Sequence, residues 1–586
     1  MFRRTKIVCT LGPATDDPAV LRALMQNGMN VARFNFSHSN HEDQKKRLEE
    51  LIRLREELKL PVASLLDTKG PEIRIGYFDT DKITLSAGDS FTLTTRDIVG
   101  NRSIVSVSFS DLPKDIETGA TILIDDGLIE LRVIKIDGTE IVCTVINGGT
   151  ISARKGINVP GVTLSLPFMS ETDWADIKFG VENDFDFIAA SFTRRAQDIL
   201  EIRKALETFN CHNIRIIAKI ENLDGVKNID EIIHVSDGIM VARGDLGVEI
   251  PLEEVPILQK QLIKKAYHAG KQVITATQML NSMMTNPRPT RAESTDVANA
   301  IYDGTSAIML SGETAAGQYP VEALQTMLRI AIRTEQDIDY VSRFRKRTVP
   351  DGLTVTNAIS HAACTTAHDL EAAAIITVTM SGKTARMISK FRPTCPIICC
   401  TTEQKVQRQM NLSWGVSPIL VLKKENTDEL FEHSVEAAVK EGLLSNGDLV
   451  VITTGVPLGI SGTTNLLKVH LVGNVLVSGH SATRFSVCGN LCVCQSEEEA
   501  LKNFTPGDIL VIEQTSNNLL DILKHCSGII TEADGLNSHA AIVGMTLEKP
   551  VLVGAENATK ILKNGTTVTM DSGRSLVYSG ITQYTD

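Results

Sequence analysis

Short apolar, β-branched runs alternate with longer stretches in which apolar residues return every three or four positions, from residue 6 to about residue 339. A chain patterned this way builds βα units around a parallel sheet. Runs at 6–11, 30–36, 62–67, 185–191, 215–221, 238–243, 272–277 and 307–311 predict eight strands, each but the third leading into a helical pattern. After the third, the period changes to two over 72–166, with turn signals at Ala87-Gly88-Asp89, Asp125-Asp126-Gly127 and Asn147-Gly148-Gly149. An all-β domain is predicted there, placed as a lid. The predicted fold class is therefore α/β, a TIM (β/α)8 barrel over 1–71 and 167–345 with the lid inserted at 72–166. Such a barrel carries its functional groups at the C-terminal ends of the strands. An open α/β domain is predicted over 346–473, from a helix at 355–368 and strands at 374–379, 397–401, 419–422, 449–453 and 468–472. Residues 473–482 read as a linker into an extra C-terminal module at 474–586.

The period of a strand then assigns faces to the polar residues at these ends. Lys219 and Glu221 fall on one face, aimed into the barrel mouth. Asp245 follows the next strand on a glycine-flanked turn, where the backbone N–H groups of Gly244 and Asp245 face an anion. Two carboxylates on neighbouring strands suit a hard divalent cation, Mg²⁺ or Mn²⁺, that keeps positions open for water and substrate oxygens. Arg33, Asn35 and Ser37 also share a face, with His38 next, and the third strand runs into Lys69 and Arg74. The cluster Arg33, Lys69 and Arg74 fits a phosphate-rich substrate. Asn35, Ser37, Asp67 and Thr68 offer only neutral or singly charged oxygens, a set better matched to a monovalent cation. Thr275, Thr277, Gln278, Ser311 and Glu313 add hydroxyl, amide and carboxyl groups at the last two strands, suited to proton delivery.

Charge narrows the partners. The formal net charge of −12 disfavours nucleic acid and anionic membrane surfaces, so an anionic substrate must be held by the local basic cluster. No apolar run reaches the ~18 residues of a membrane span, and the apolar run near the N-terminus is shorter than a signal peptide requires. A cytoplasmic address is expected. The eleven cysteines form no CxxC pair, and Cys488, Cys492 and Cys494 read as structural thiols in a strand.

Six segments, in order, resemble the signatures of the pyruvate kinase family: Arg-Phe-Asn-Phe-Ser-His at 33–38, Asp-Thr-Lys-Gly-Pro-Glu-Ile-Arg at 67–74, Ile-Ala-Lys-Ile-Glu-Asn at 217–222, Val-Ala-Arg-Gly-Asp-Leu-Gly-Val-Glu at 241–249, Ile-Thr-Ala-Thr-Gln-Met-Leu at 274–280 and Met-Leu-Ser-Gly-Glu-Thr-Ala at 309–315. The resemblance implies transfer of the phosphoryl group of phosphoenolpyruvate to ADP in glycolysis, with the enolate then protonated to pyruvate. It implies Mg²⁺ or Mn²⁺ on Glu221 and Asp245, and K⁺ on Asn35, Ser37, Asp67 and Thr68. It assigns charge stabilisation to Lys219, phosphoryl contact to Arg33 and the nucleotide side to Asn35, His38, Lys69 and Arg74. Gly244, Asp245 and Thr277 would grip the substrate carboxylate, with Thr277 and Ser311 near the path of the proton. Family members with Lys where this chain has Glu72 resemble K⁺-independent enzymes, so Glu72 implies K⁺ activation. A homotetramer is implied as well.

Thr-Met-Ser-Gly-Lys-Thr-Ala-Arg at 379–386 joins a strand to a helix, so Ser381, Lys383 and Thr384 can cradle a phosphate. A Walker A loop would need Gly at the position of Thr377. By resemblance this loop, with a partner loop at 453–465, takes a phosphorylated small-molecule effector. The segment Gly-Leu-Asn-Ser-His-Ala-Ala-Ile-Val-Gly at 535–544 resembles the mobile phosphohistidine domain of phosphoenolpyruvate-utilising enzymes, with His539 at the phosphorylated position and Asn537 where Thr is usual. A structural or regulatory appendage is the reading favoured for it. Two other readings stay open: a barrel lyase stabilising a pyruvate enolate on Mg²⁺, and a phosphohistidine carrier whose barrel is a scaffold.

Overall fold

All eight predicted barrel runs form strands in the computed structural model, which describes residues 2–346, 354–424, 426–456, 464–473 and 475–580. The strands are Lys6–Leu11 (β1), Val31–Asn35 (β2), Ala63–Asp67 (β3), Phe187–Ala190 (β4), Arg215–Ile220 (β5), Gly238–Ala242 (β6), Gln272–Ala276 (β7) and Ala307–Leu310 (β8). They close in the order β1-β8-β7-β6-β5-β4-β3-β2, and every neighbouring pair is parallel. Alternate residues turn inward: Val8, Val31, Leu65, Phe187, Ile217 and Ile274 fill the barrel together with Leu412. The residues between them, such as Phe34, Leu66, Ile188 and Ile220, pack against the surrounding helices.

Several strands end one residue earlier than the pattern predicts, because the last residue of the run already leaves the sheet. Thr277 adopts φ +64, a conformation that a β-branched residue rarely takes, which ends β7 at Ala276. The turn expected at 242–247 is instead the first part of a seven-residue helix, Arg243–Glu249. Two glycines argue against a helix there. The Arg243 guanidinium overrides them, donating to the carbonyls of Ala276 and Thr277 and to Asp296 at 2.6 Å.

Residues 72–166 form the predicted β domain, with a seven-stranded sheet, a two-stranded sheet and their own apolar core. The chain divides into two compact units, Met1–Ser360 with Thr379–Leu420, and His361–Val378 with Val421–Asp586. In the first unit, Ile397–Thr401 pairs in parallel with Val416–Leu420. The predicted strand at 419–422 begins earlier because Val416 and Ile419 already face the core. In the second, Ala374–Val378 runs parallel to Leu449–Gly455, which pairs antiparallel with Thr464–Leu471.

The final module has a seven-stranded mixed sheet. Its first strand corrects the linker expected at 473–482: Val475–Ser478 pairs with Leu576–Ser579, because the alternation that places Val477 in the core also gives an edge strand. Cys492 and Cys494 lie in the core of this module, with sulfurs 3.6 Å apart. Residues 347–353 at the start of the predicted second α/β domain, 457–463 in the partner loop and 474 in the predicted linker lie outside the described residues. Among the described residues no helix is long and apolar enough to cross a membrane.

Candidate active site

At the C-terminal end of the barrel a cleft of about 420 Å³ opens between β-strand ends and the lid. Its size suits a small ligand. Strand period brings Arg33, Asp67, Lys219 and Glu221 into one buried group, each at most 9% exposed. The Lys219 ammonium lies 2.9 Å from Glu221 and 3.1 Å from Asp67, and it donates to Ser191 at 2.8 Å. Arg33 donates to Asp67 at 2.6 Å and to Thr10 at 3.0 Å. Phe192, at φ +54, donates its N–H to the other Glu221 oxygen at 2.5 Å. Gly70, at φ +71, lets the chain pass Ser191, where a Cβ would come within 2.9 Å of that residue.

Burial works against the charge on Lys219, yet the carboxylates of Asp67 and Glu221 outweigh it and hold the ammonium above the ordinary lysine range. Asp67 would likewise be raised by burial, but Arg33 and Lys219 hold it below the usual carboxylate range. Glu221 behaves differently. Burial pushes it up to about 7 despite Lys219, with the like charge of Asp245 adding to the shift. Asp245 is raised by burial too, within hydrogen-bonding reach of Glu221 and under the field of Asp126 from the lid.

Two carboxyl groups that compete for a proton at a cleft wall are a fitting donor set for a divalent cation, which would replace that proton with two charges. Among the described residues no group of three or more His, Cys, Asp and Glu forms a metal cluster. The second set also fits its ion in kind. Asn35 and Asp67 are register partners on β2 and β3, Ser37 and Thr68 follow them, and all four present oxygens.

Three comparisons bear on this geometry. A family model described as pyruvate kinase, barrel domain, matches residues 2–324; pyruvate kinase, alpha/beta domain, matches 357–470; and PEP-utilising enzyme, mobile domain, matches 504–575. A pyruvate kinase of Geobacillus stearothermophilus is 50% identical over 582 residues, covering 99% of each chain. The chain belongs to the pyruvate kinase family. It is a phosphotransferase enzyme. A pyruvate kinase of Lactobacillus delbrueckii subsp. bulgaricus is 46% identical over 584 residues, covering 99% of both chains. The crystal structure of a pyruvate kinase from Cryptosporidium parvum superposes with a TM-score of 0.76 at 41% identity, covering 80% of this chain and 96% of that one.

Arg33, Asn35, Ser37, His38, Lys69, Arg74, Lys219, Glu221 and Asp245 all line the cleft, strand period having aimed Arg33, Asn35, Ser37, Lys219 and Glu221 at this rim. Gly244, Thr277 and Ser311 do not line it. The Gly244 N–H donates to the Thr277 hydroxyl at 2.8 Å, and Ser311 donates its N–H to Glu313 at 2.7 Å while its hydroxyl is buried without a hydrogen-bond partner among the described residues. The basic cluster is less positive than its three cations imply, because Arg33 is neutralised by Asp67 and Arg74 by Glu72 at 2.8 Å.

Other residues of the cleft carry no signal in the chain pattern. Ser191, which joins Lys219 to Asp67, stands one residue beyond β4 and is legible only once that strand's end is known. The lid contributes Asp125, Asp126, Lys155 and Asn158, and periodicity within a β domain says nothing about which edge faces a barrel.

Proposed function

We propose that this enzyme transfers the phosphoryl group of phosphoenolpyruvate to ADP, giving pyruvate and ATP, as a cytoplasmic, glycolytic pyruvate kinase that requires Mg²⁺ or Mn²⁺ and is activated by K⁺. The observation carrying this reading is the buried Lys219 ammonium, held charged beside the facing carboxyls of Glu221 and Asp245 in the cleft wall. Catalysis of phosphoryl transfer is chiefly positioning and charge stabilisation, so a fixed buried cation is the group it needs. Bound at Glu221 and Asp245, the divalent cation supplies Lewis-acid polarisation and neutralises phosphoryl charge.

The side chains account for the rest. Lys219 stabilises the charge spread over the transferring group, and Arg33, already rigid between Thr10 and Asp67, orients its oxygens. Asn35, His38, Lys69 and Arg74 face the nucleotide from the barrel side of the cleft. The Gly244 N–H and the Thr277 hydroxyl, bonded to each other, are the pair that opens to grip the substrate carboxylate. Phosphoryl transfer leaves a pyruvate enolate that takes one proton at carbon, and Thr277 with the buried Ser311 hydroxyl lies on the side proposed to deliver it. The loop bearing Ser381, Lys383 and Thr384 is proposed to hold a phosphorylated small-molecule effector, and the assembly to be a homotetramer.

Pyruvate formation, followed by coupled NADH oxidation with ADP, Mg²⁺ and K⁺ each omitted in turn, tests the reaction. Loss of product without ADP or without Mg²⁺ is expected; pyruvate formed at full rate without ADP overturns phosphoryl transfer to the nucleotide. For K⁺ the expectation is specific. The carboxylate of Glu72 is held by Arg74 and brings no ammonium to replace the ion's charge. Activity should therefore fall steeply in K⁺-free, Na⁺-free buffer, and full activity there sinks the monovalent site.

A further inference from the structure

One of the two proposed metal carboxylates precedes a short helix and the other lies within one, and each helix bonds to the lid. Glu221 precedes the helix Leu223–Lys227, whose Asp224 accepts a hydrogen bond from the Thr163 hydroxyl of the lid at 2.9 Å. Asp245 lies in the helix Arg243–Glu249, and Glu249, four residues on and so on the same helix face, accepts from the Asn158 side-chain amide at 2.9 Å. Asn158 closes the last lid strand, Gly156–Asn158, and Thr163 lies on the segment returning to the barrel. That segment is fixed again just after Thr163, on the way to the barrel. Arg194 donates to the carbonyls of Leu164 at 3.0 Å and Leu166 at 2.9 Å, and is itself tied by its N–H to Asp198 and by its carbonyl to Asn228.

The two lid donors are neutral and the two acceptors are carboxylates, so these are charge-assisted bonds, stronger than bonds between neutral groups. Asp224 adds like charge at Glu249, whose carboxyl burial already raises, so the acceptors gain from being paired. Asn158, Asp224 and Glu249 stand on the wall of the same cleft, but neither bond involves Lys219, Glu221 or Asp245 themselves. Their effect on that space runs through helix position: fixing Asp224 and Glu249 fixes the backbone that aims Glu221 and Asp245.

We propose that Asn158 and Thr163 are positioning residues of the lid, setting the separation and aim of the metal-binding carboxylates through Glu249 and Asp224. The inference rests on the assignment of Glu221 and Asp245 as the divalent-cation site. It makes lid placement and cation affinity one linked equilibrium, so that a correctly seated lid tightens the cation and a bound cation favours the seated lid.

The test is direct Mn²⁺ binding to the full chain, read from the electron paramagnetic resonance signal of free Mn²⁺, with no turnover involved. Asn158→Ala and Thr163→Val should each weaken Mn²⁺ a few-fold and the double variant about tenfold, since only the part of each bond that is coupled to the cation reaches its affinity. Thr163→Ser, which keeps the hydroxyl, should restore wild-type affinity. Thermal unfolding and far-UV circular dichroism are expected to match the wild type, which separates positioning from a damaged lid. A double variant whose Mn²⁺ affinity is within twofold of wild type, or tighter, overturns the proposal while leaving the cation site standing. A wild-type chain that binds no Mn²⁺, or binds it undiminished in Glu221→Gln, overturns both.

Discussion

A Lys219→Met variant is expected to keep binding Mn²⁺ and phosphoenolpyruvate while kcat falls by about three orders of magnitude. Lys219 is 8% exposed and its ammonium touches Asp67, Glu221 and Ser191, so methionine takes the place of the stem but supplies none of the charge. Ground-state binding survives for three reasons. Asp67 remains paired with Arg33, Glu221 keeps the Phe192 N–H, and the Glu221 oxygen released by the lysine becomes available to a cation. What is lost is a fixed positive charge at the place where phosphoryl charge spreads in the transition state. In a buried site that charge acts at low effective dielectric, and water does not replace it. Direct Mn²⁺ titration beside steady-state turnover checks both halves. Turnover within tenfold of the wild type removes Lys219 from the reaction, and loss of Mn²⁺ binding makes it a structural ion pair for the carboxylates.

The convergence of Lys219 with Glu221, Arg33 and Asp67 was readable in advance because it depends on little beyond strand period. Lys219 and Glu221 are two apart, Arg33 and Asn35 are two apart, and Asp67 ends the neighbouring strand in register with Asn35. A parallel barrel turns such spacing into convergence at one rim. Readability stops where tertiary contacts overrule local preference. The helix Arg243–Glu249 contains two glycines and exists because Arg243 reaches the carbonyls of Ala276 and Thr277, partners 33 and 34 residues away. Thr277 at φ +64 is held by the Gly244 N–H on its hydroxyl, a bond that no local pattern encodes. The lid groups are invisible for a different reason. Asp126 and Asn158 sit in a domain whose internal period is correct whichever edge meets the barrel, so only the docked fold tells which of its polar residues face Glu221, Asp245 and Glu249. The charge balance of the Arg33, Lys69 and Arg74 cluster is hidden in the same way, since only the folded chain shows Arg33 paired with Asp67 and Arg74 with Glu72.

The largest effect on stability is expected at the opposite end of the barrel, from Arg408→Leu. Asp186, fully buried just before β4, accepts from Arg408 Nε at 2.8 and 3.1 Å, from the Ser64 N–H at 2.9 Å and from the Ser64 hydroxyl at 3.2 Å. The same guanidinium reaches Asp184 at 2.7 Å, and it belongs to the helix Gln404–Met410 that precedes the barrel-filling Leu412. Removing it leaves a buried carboxylate with the Ser64 donors and the more distant charges of Arg55 and Lys405, a loss of about 3–5 kcal/mol for a broken buried pair. The sign of the pH dependence follows from the same burial. Burial already raises Asp186 above its unfolded value despite Arg408, so an ionised Asp186 is disfavoured in the folded state and taking away the guanidinium raises it further. A carboxyl raised on folding binds its proton more tightly in the native state, so its penalty is absent below the unfolded pKa and grows as pH rises towards the folded one. The deficit of Arg408→Leu should therefore be largest near pH 8 and shrink as the buffer is taken towards pH 5. Urea midpoints from the fluorescence of the two tryptophans, Trp174 and Trp414, follow it across that range. Adding Asp186→Asn to Arg408→Leu should recover most of the loss at pH 8, because an amide needs no counter-charge. A deficit that is the same at every pH, or a double variant no more stable than the single, would mean that Arg408 stabilises the barrel by packing its stem against Asp184 and its neighbours rather than by holding a buried charge.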